Sequence, residues 1–453
     1  MIRMRLIPTS LVVACLAGTA TAQPLPAPGR PAESPEVLTL DEAVSQALHN
    51  APSIAASRAA VTASQEAEGV AFAPWLPQIS LNGTYDRRTG NYAAPPGSVP
   101  SGSSTGSGTS WSSYNYFAFG LSVTQNIYDF GRTGWANDRA AIGTEIARHQ
   151  MATVRLETWF RVVTAYYAAL AAQQMVDLTE KMLVRARYYV ERVKGLVEAG
   201  ARPRIDIVRT EADAFQAEAS HIAARENRHM TLLALMAAMG VKEPYSPKLK
   251  APAATNLGEP PPLAEGLAEA MANRPEHRIA RDAVRSQEAE IARIKSDYWP
   301  IIGAAASATE AGSQISNLVW NWQIGVGLTV PIFSGLSTRH SVRAAEAVLA
   351  GLRSNQDGLN LQIRAEVEQA RARISDAAAH LVPITELVVA SRQAMELADE
   401  RYKAGMGNQV ELLDAQSNLA GSEAELVRSE YILALAWASY WRAVGRIPGQ
   451  AAE

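Results

Sequence analysis

The chain has 453 residues, with 42 lysines and arginines against 45 aspartates and glutamates, for a net charge of −3. So close a balance leaves no basic footprint for nucleic acid, and the length suits two or three ordinary domains or one elongated one. Beyond the N-terminus, no stretch is read as reaching the roughly 18 apolar residues that a membrane-crossing helix needs.

Residues 1–22 read as a signal peptide: a basic "MIRMR", a short apolar "LIPTSLVVACLAG", then Ala20-Thr21-Ala22 as a small-x-small cleavage site. Its removal would take Arg3 and Arg5 and shift the net charge to about −5. Cys15, the only cysteine, lies inside it. Val12-Val13-Ala14-Cys15 also fits a lipobox, so lipidation of Cys15 stays open. On the cleavage reading the mature chain has no disulfide, thiol chemistry or thiolate metal site.

After "LTLDEAVSQAL" a helix is expected over about 53–75, and Pro77 then allows a strand over about 78–88. The polar segment "AAPPGSVPSGSSTGSGTS" separates it from "NYFAFGLSVTQNIY". In that second strand Phe117, Phe119, Leu121, Val123 and Ile127 point one way. Tyr116, Ala118, Gly120, Ser122, Thr124 and Asn126 point the other. Asp129-Phe130-Gly131 follows. It resembles a kinase metal-binding tripeptide, but no glycine-rich loop, Val-Ala-x-Lys strand or His-Arg-Asp loop accompanies it. The better reading is a joint, with Gly131 permitting the change of direction and Asp129 capping the next helix.

That helix should run from Gly134 to Gly200 and span about 100 Å, a length that suggests coiled coil. A shorter helix over about 205–240 returns, and the proline-rich segment 241–262 follows. The pattern then repeats. Leu40, Glu42, Asn50 and Pro52 fall on Leu263, Glu265, Asn273 and Pro275; "SQEAE" recurs; "IYDFG" aligns with "PIFSG", putting Gly131 on Gly335; Gly200 aligns with Gly405 and Gly240 with Gly445. The chain is thus read as a first repeat over 23–240, a linker over 241–262, a second repeat over 263–445 and a tail over 446–453. In the second repeat strands are expected over 301–312 and 318–330, with Trp320, Trp322 and Val326 on one face and Asn321, Gln323 and Gly325 on the other. Pro383 should kink the second long helix.

Four strands of about 11–15 residues are long for a soluble sheet and suited to crossing a membrane at a tilt, with tryptophans near their ends. Phe117, Phe119, Trp320, Trp322 and Val326 are therefore the expected lipid-facing residues. Four strands cannot close around a lumen alone; several chains could.

Taken together and in this order, "LTLDEAVSQAL", "YDFGR", "PIFSG" and the paired turns at Gly200 and Gly405 resemble the TolC family of outer-membrane efflux channels over essentially the whole mature chain. The resemblance implies a fold that is mixed but mainly α: coiled-coil helices forming a periplasmic tunnel, and four β-strands per chain in a twelve-stranded barrel of a homotrimer in the outer membrane. It implies a passive exit duct for small toxic compounds, partnered by a periplasmic adaptor and an inner-membrane pump. A duct for protein secretion or metal ions is the alternative within the fold, and a pore-less periplasmic coiled-coil protein the alternative outside it. No enzyme, cofactor or metal site is expected: the histidines are scattered, and "GSSTGSG" lacks the lysine of a phosphate loop.

Glu411 and Asp414 share a face of the helix starting near Asn408. By resemblance, Val410–Ala415 matches the acidic constriction at the periplasmic aperture. The plainer role is to favour the helix dipole. The first repeat offers Asp206, with Arg209 in place of Asp414. With no basic residue between Gly405 and Asp414, Arg202 or Arg204 is the expected partner. Leu196, Val197, Gly200, Gly405 and Met406, at the helical turns, are the adaptor-docking tips that the resemblance implies.

Overall fold

The computed structural model describes residues 37–89, 111, 113–243, 245–252 and 259–449. The leader with Cys15, most of the first hairpin's loop, part of the linker and the last residues lie outside these.

Among the described residues the long elements come in pairs, equal in length except for β3 and β6. Helix α1 (Leu40–Asn50) matches α5 (Leu263–Asn273), and α2 (Pro52–Phe72) matches α6 (Pro275–Lys295). Strand β2 (Gln78–Thr89) matches β5 (Ile301–Gly312); β3 (Ser113–Tyr128) answers β6 (Val319–Thr329). The long helices α3 (Arg132–Glu198) and α7 (Ser337–Lys403) have 67 residues each, and the returning helices α4 (Ile205–Met239) and α8 (Gln409–Ala443) have 35 each. The helices α2 and α4 pack in turn along α3, so two shorter rods flank one long rod. Helical bonding resumes beyond Pro383, so the proline interrupts α7 without ending it.

At mid-height β1 (Val37–Leu38) pairs in parallel with β4 (Lys248–Leu249), tying the linker to the chain's start. The Tyr166 hydroxyl donates to the Leu38 carbonyl at 2.9 Å and to the Lys250 carbonyl at 2.6 Å, and the Gln173 amide brackets Leu249. Burial pushes the Tyr166 hydroxyl up to about 12. Leu38, Val162, Tyr166, Leu235 and Met239 fill the core around this joint.

The four long strands form one antiparallel sheet in the order β2-β3-β5-β6. Cross-strand partners share a face. The register places Leu81, Leu121, Ala308 and Trp322 in one row, and Ile79, Val123, Ala306 and Ile324 in the next. This face is apolar and open, with Trp320 67% and Val326 70% exposed. Towards the strand ends it turns polar, with Glu310 between Phe119 and Trp320, Arg87 opposite Asn115, and Gln125 opposite Ala304. The opposite face is small and polar, with Ser80 and Ser122 hydroxyls 2.7 Å apart and Arg88 stacked over Tyr116.

One expectation about hydropathy is corrected. Helix α7 contains an 18-residue window of mean hydropathy 1.2, apolar enough by composition to cross a membrane. Its apolar side chains Val382, Leu387, Val389 and Leu397 are exposed in the single chain.

Candidate functional site

The first joint is built around Asp129, only 6% exposed. Its carboxylate accepts from the Thr133 amide at 2.9 Å, from the Thr133 hydroxyl and from the Asn126 amide at 2.8 Å. Burial pushes its pKa up, but the bonds from Thr133, Asn126 and the Gly131 backbone outweigh that and hold it below the usual carboxylate range. Phe130 and Gly131 both take left-handed backbone, with φ of 53° and 91°. In the second joint the left-handed pair is Gly335 and Leu336, with φ of 63° and 66°. The pairing of Gly131 with Gly335 is thereby corrected by one residue. Gly335 stands where Phe130 does, and Ser334 stands where Asp129 does, its hydroxyl 3.3 Å from that of Thr338. A turn needing two left-handed residues accepts its glycine at either position.

At the far end each long helix closes with a left-handed glycine, Gly200 or Gly405. The Ala201 amide reaches back to the Leu196 carbonyl, and the Met406 amide to that of Arg401. Met406 is 74% exposed, whereas Leu196 and Val197 turn inward against Tyr189, Val193 and Leu412. Arg202 fastens the two turns together. It donates to the Gly407 carbonyl at 3.1 Å, and its guanidinium lies 4.8 Å from the Tyr402 ring centre.

Helix α8 starts with the Asn408 side chain accepting from the Glu411 amide at 2.7 Å. Glu411 and Asp414 line an open groove with Asn408 and Asn418 of α8 and the small residues Ala390, Ser391, Ala394 and Ala398 of α7. The charge partner of Glu411 is Arg401, at 3.5 Å across the turn. Arg202 is engaged elsewhere and Arg204 is exposed, so neither supplies it. Asp206 does not join the pair: it is 6% exposed, buried where α4 begins. Close by, the Gln409 amide donates to the Thr210 hydroxyl at 2.8 Å.

A second link, unforeseen in the sequence, ties α3 to α7. The Tyr189 hydroxyl donates to Asp399 at 2.6 Å, and Lys403 pairs with the same carboxylate at 2.5 Å. Burial and the Asp399 bond raise the Tyr189 pKa. Burial works against Asp399 ionisation, but Lys403 and Tyr189 hold its pKa down. Residues 210 positions apart carry no local sign of meeting.

The profile of the family described as outer membrane efflux protein matches residues 43–241 and 266–446. The chain belongs to that family. Outer membrane efflux protein BepC of Brucella suis biovar 1 (strain 1330) is 25% identical over 416 residues, covering 90% of this chain and 86% of that one. Alkaline protease secretion protein AprF of Pseudomonas aeruginosa is 27% identical over 344 residues, covering 72% and 69%. A crystal structure of a membrane protein from Pseudomonas aeruginosa superposes with a TM-score of 0.76 at 21% identity, covering 90% of each chain. As an outer membrane efflux protein the chain is a transport protein of the TolC type. It lies in the outer membrane, with its helices forming the periplasmic part. Among the described residues no His, Cys, Asp and Glu cluster suits a metal ion.

Proposed function

We propose that three copies assemble into an exit duct for small toxic compounds, fed from the periplasm by an adaptor and an inner-membrane pump. The observation that carries this reading is the four-stranded sheet, with one continuous apolar face and free edges at β2 and β6. In lipid those edges must be paired. A barrel of about eight strands is filled by its own side chains, whereas a larger one leaves a lumen; three chains therefore suit a channel better than two. The small, polar face then lines the lumen, and Phe117, Phe119, Trp320, Trp322 and Val326 face lipid.

At the other end, the half-exposed Glu411 and the exposed Asp414 of each copy form the acidic aperture, and the tips at Gly200, Gly405 and Met406 receive the adaptor. Gene deletion, read as susceptibility to a panel of antibiotics, detergents and metals, tests the cargo. Planar-bilayer conductance of the purified protein tests the pore. Unchanged susceptibility together with an absence of conductance overturns the proposal. A second reading, protein secretion, draws on AprF, a secretion protein by name. It predicts that the deletion strain loses a protein from its culture supernatant.

A further inference from the structure

The four long strands hold four charged residues, Asp86, Arg87, Arg88 and Glu310, all near the ends that lie away from the helices. The helices are periplasmic, so those ends lie toward the cell exterior. Arg87 and Arg88 are neighbours on opposite faces of β2. Arg88, on the small and polar face, is neutralised: it pairs with Asp86 and lies 4.1 Å from the Tyr116 ring centre. Arg87 stands on the apolar face. Its Nε donates to the Ser113 hydroxyl at 2.9 Å, and its terminal nitrogens meet no carboxylate among the described residues.

The neighbours of Arg87 complete a set of donors. Asn115 faces it across the strands. The Tyr85 hydroxyl donates to the Asn115 side-chain oxygen at 3.2 Å, which leaves the Asn115 amide nitrogen as a donor. The Ser113 hydroxyl, accepting from Arg87, keeps its own proton to give. Arg87, Ser113 and Asn115 are all exposed. One row nearer the membrane, the Tyr85 and Phe117 rings lie 5.0 Å apart and form an apolar floor. Glu310, the other charge on this face, is two strands away and about 13 Å further along the strands, too distant to fill the site.

Height says what the donors meet. Arg87 is nine residues beyond Gln78, where β2 begins after the exposed Trp75. At about 3.3 Å per residue and a tilt of about 40°, that is about 23 Å of height, close to the apolar band of about 25 Å that a membrane barrel presents. Arg87 therefore stands at the outer edge of the band, where the headgroups of the outer leaflet begin. An arginine facing lipid is costly at the midplane and nearly free of cost at that edge. We propose that Arg87, Asn115 and Ser113 form a site for the phosphate of an outer-leaflet lipid, whose acyl chains run down over Tyr85 and Phe117. A planar guanidinium matches phosphate oxygens in pairs, and the uncharged donors beside it add hydrogen bonds without repelling the anion.

The inference rests on the reading of this face as lipid-facing, and the test separates the two. Purified full-length protein is incubated in detergent micelles doped with an acylated glucosamine disaccharide that carries two phosphates, or with the same lipid stripped of them. Bound lipid per chain is counted by native mass spectrometry. The wild type should retain about tenfold more of the phosphorylated lipid, because a bidentate arginine–phosphate pair is strong. R87Q should lose that preference, R87K should keep part of it as a charge without the fork, and R88Q should bind like the wild type. N115L, which removes a donor and no charge, should lower binding about threefold and gives a second reading if R87Q fails to fold. If R88Q loses the lipid while R87Q keeps it, the two faces are exchanged, and the lipid-facing reading falls with the inference. If the wild type binds both lipids alike, or R87Q and R88Q both bind like the wild type, the phosphate site is overturned and the duct reading stands. Displacement of the lipid by an equal concentration of inorganic phosphate overturns its assignment to a lipid.

Discussion

The two long helices have the same length and opposite surroundings. Helix α3 is packed on both flanks within its own chain, by α2 and α4 on one side and by α6 and α8 on the other. Helix α7 packs mainly against α8 and α6, with shorter contacts to α5 and, near the tip, to α3, and among the described residues its Val382, Val389 and Leu397 stay open. A repeat that buries one copy and leaves the other partly open describes a slice of a ring rather than a finished body. The tips show the same divergence: Asp206 is buried where α4 starts, while its counterpart Glu411 looks into an open groove. Duplication kept the backbone and let the side chains specialise.

The largest expected effect separates the two faces of the sheet. Val326→Arg should cost about 2–4 kcal/mol of barrel stability if Val326 sits near the bilayer midplane. Gly325→Arg, with open space where its Cβ would be, should cost far less. Urea titration of lipid-refolded protein measures both, and equal costs would erase the distinction between faces.

The joints come next. The N-cap residue of α3 is Gly131, not Asp129, but Asp129→Ala strips the buried acceptor from the Thr133 amide and from Asn126 and should cost about 1–3 kcal/mol, whereas Ser334→Ala should cost a few tenths. The pH dependence sharpens this. Because the folded pKa of Asp129 is depressed, its contribution is present above the unfolded value and is lost as pH falls through the folded one. The melting-temperature gap between wild type and Asp129→Ala should therefore begin to narrow near the ordinary aspartate value of about 4 and close only at still lower pH, below the depressed folded value. A gap persisting in acid would show that the carboxylate's charge is not what stabilises the joint.

The tips should separate function from stability. Replacing Glu411 and Asp414 together with alanine should weaken cation selectivity and block by trivalent cations in bilayer recordings, while trimer assembly stays intact. If they serve only the helix dipole, about 0.3–1 kcal/mol per residue is lost and the reversal potential does not move. Asp206→Asn should leave selectivity untouched, because that carboxylate is buried. Smallest of all, Arg401→Ala should cost on the order of 0.5 kcal/mol and less at high salt, since the Arg401–Glu411 pair is half exposed; thermal melts at two ionic strengths measure it.

The sequence by itself determined the periodic part of this protein. Alternation in 117–127 and 318–330 marked two of the strands and both faces of each. The proline-free span after Gly134 and the span after Gly335, interrupted only by Pro383, marked the long helices, and the repeated motifs marked the duplication. Each of these signals lies within one element, where period and punctuation act locally. Only the tertiary structure decided what depends on meeting across elements. It joined the two hairpins into one sheet through β3 and β5, moved the second joint's glycine by one position, gave Glu411 to Arg401, and sent Asp206 inward. It also brought Tyr189 to Asp399 from the far side of the duplication. Partners so distant in sequence are chosen by how rods pack side by side, and that choice leaves no periodic trace along the chain.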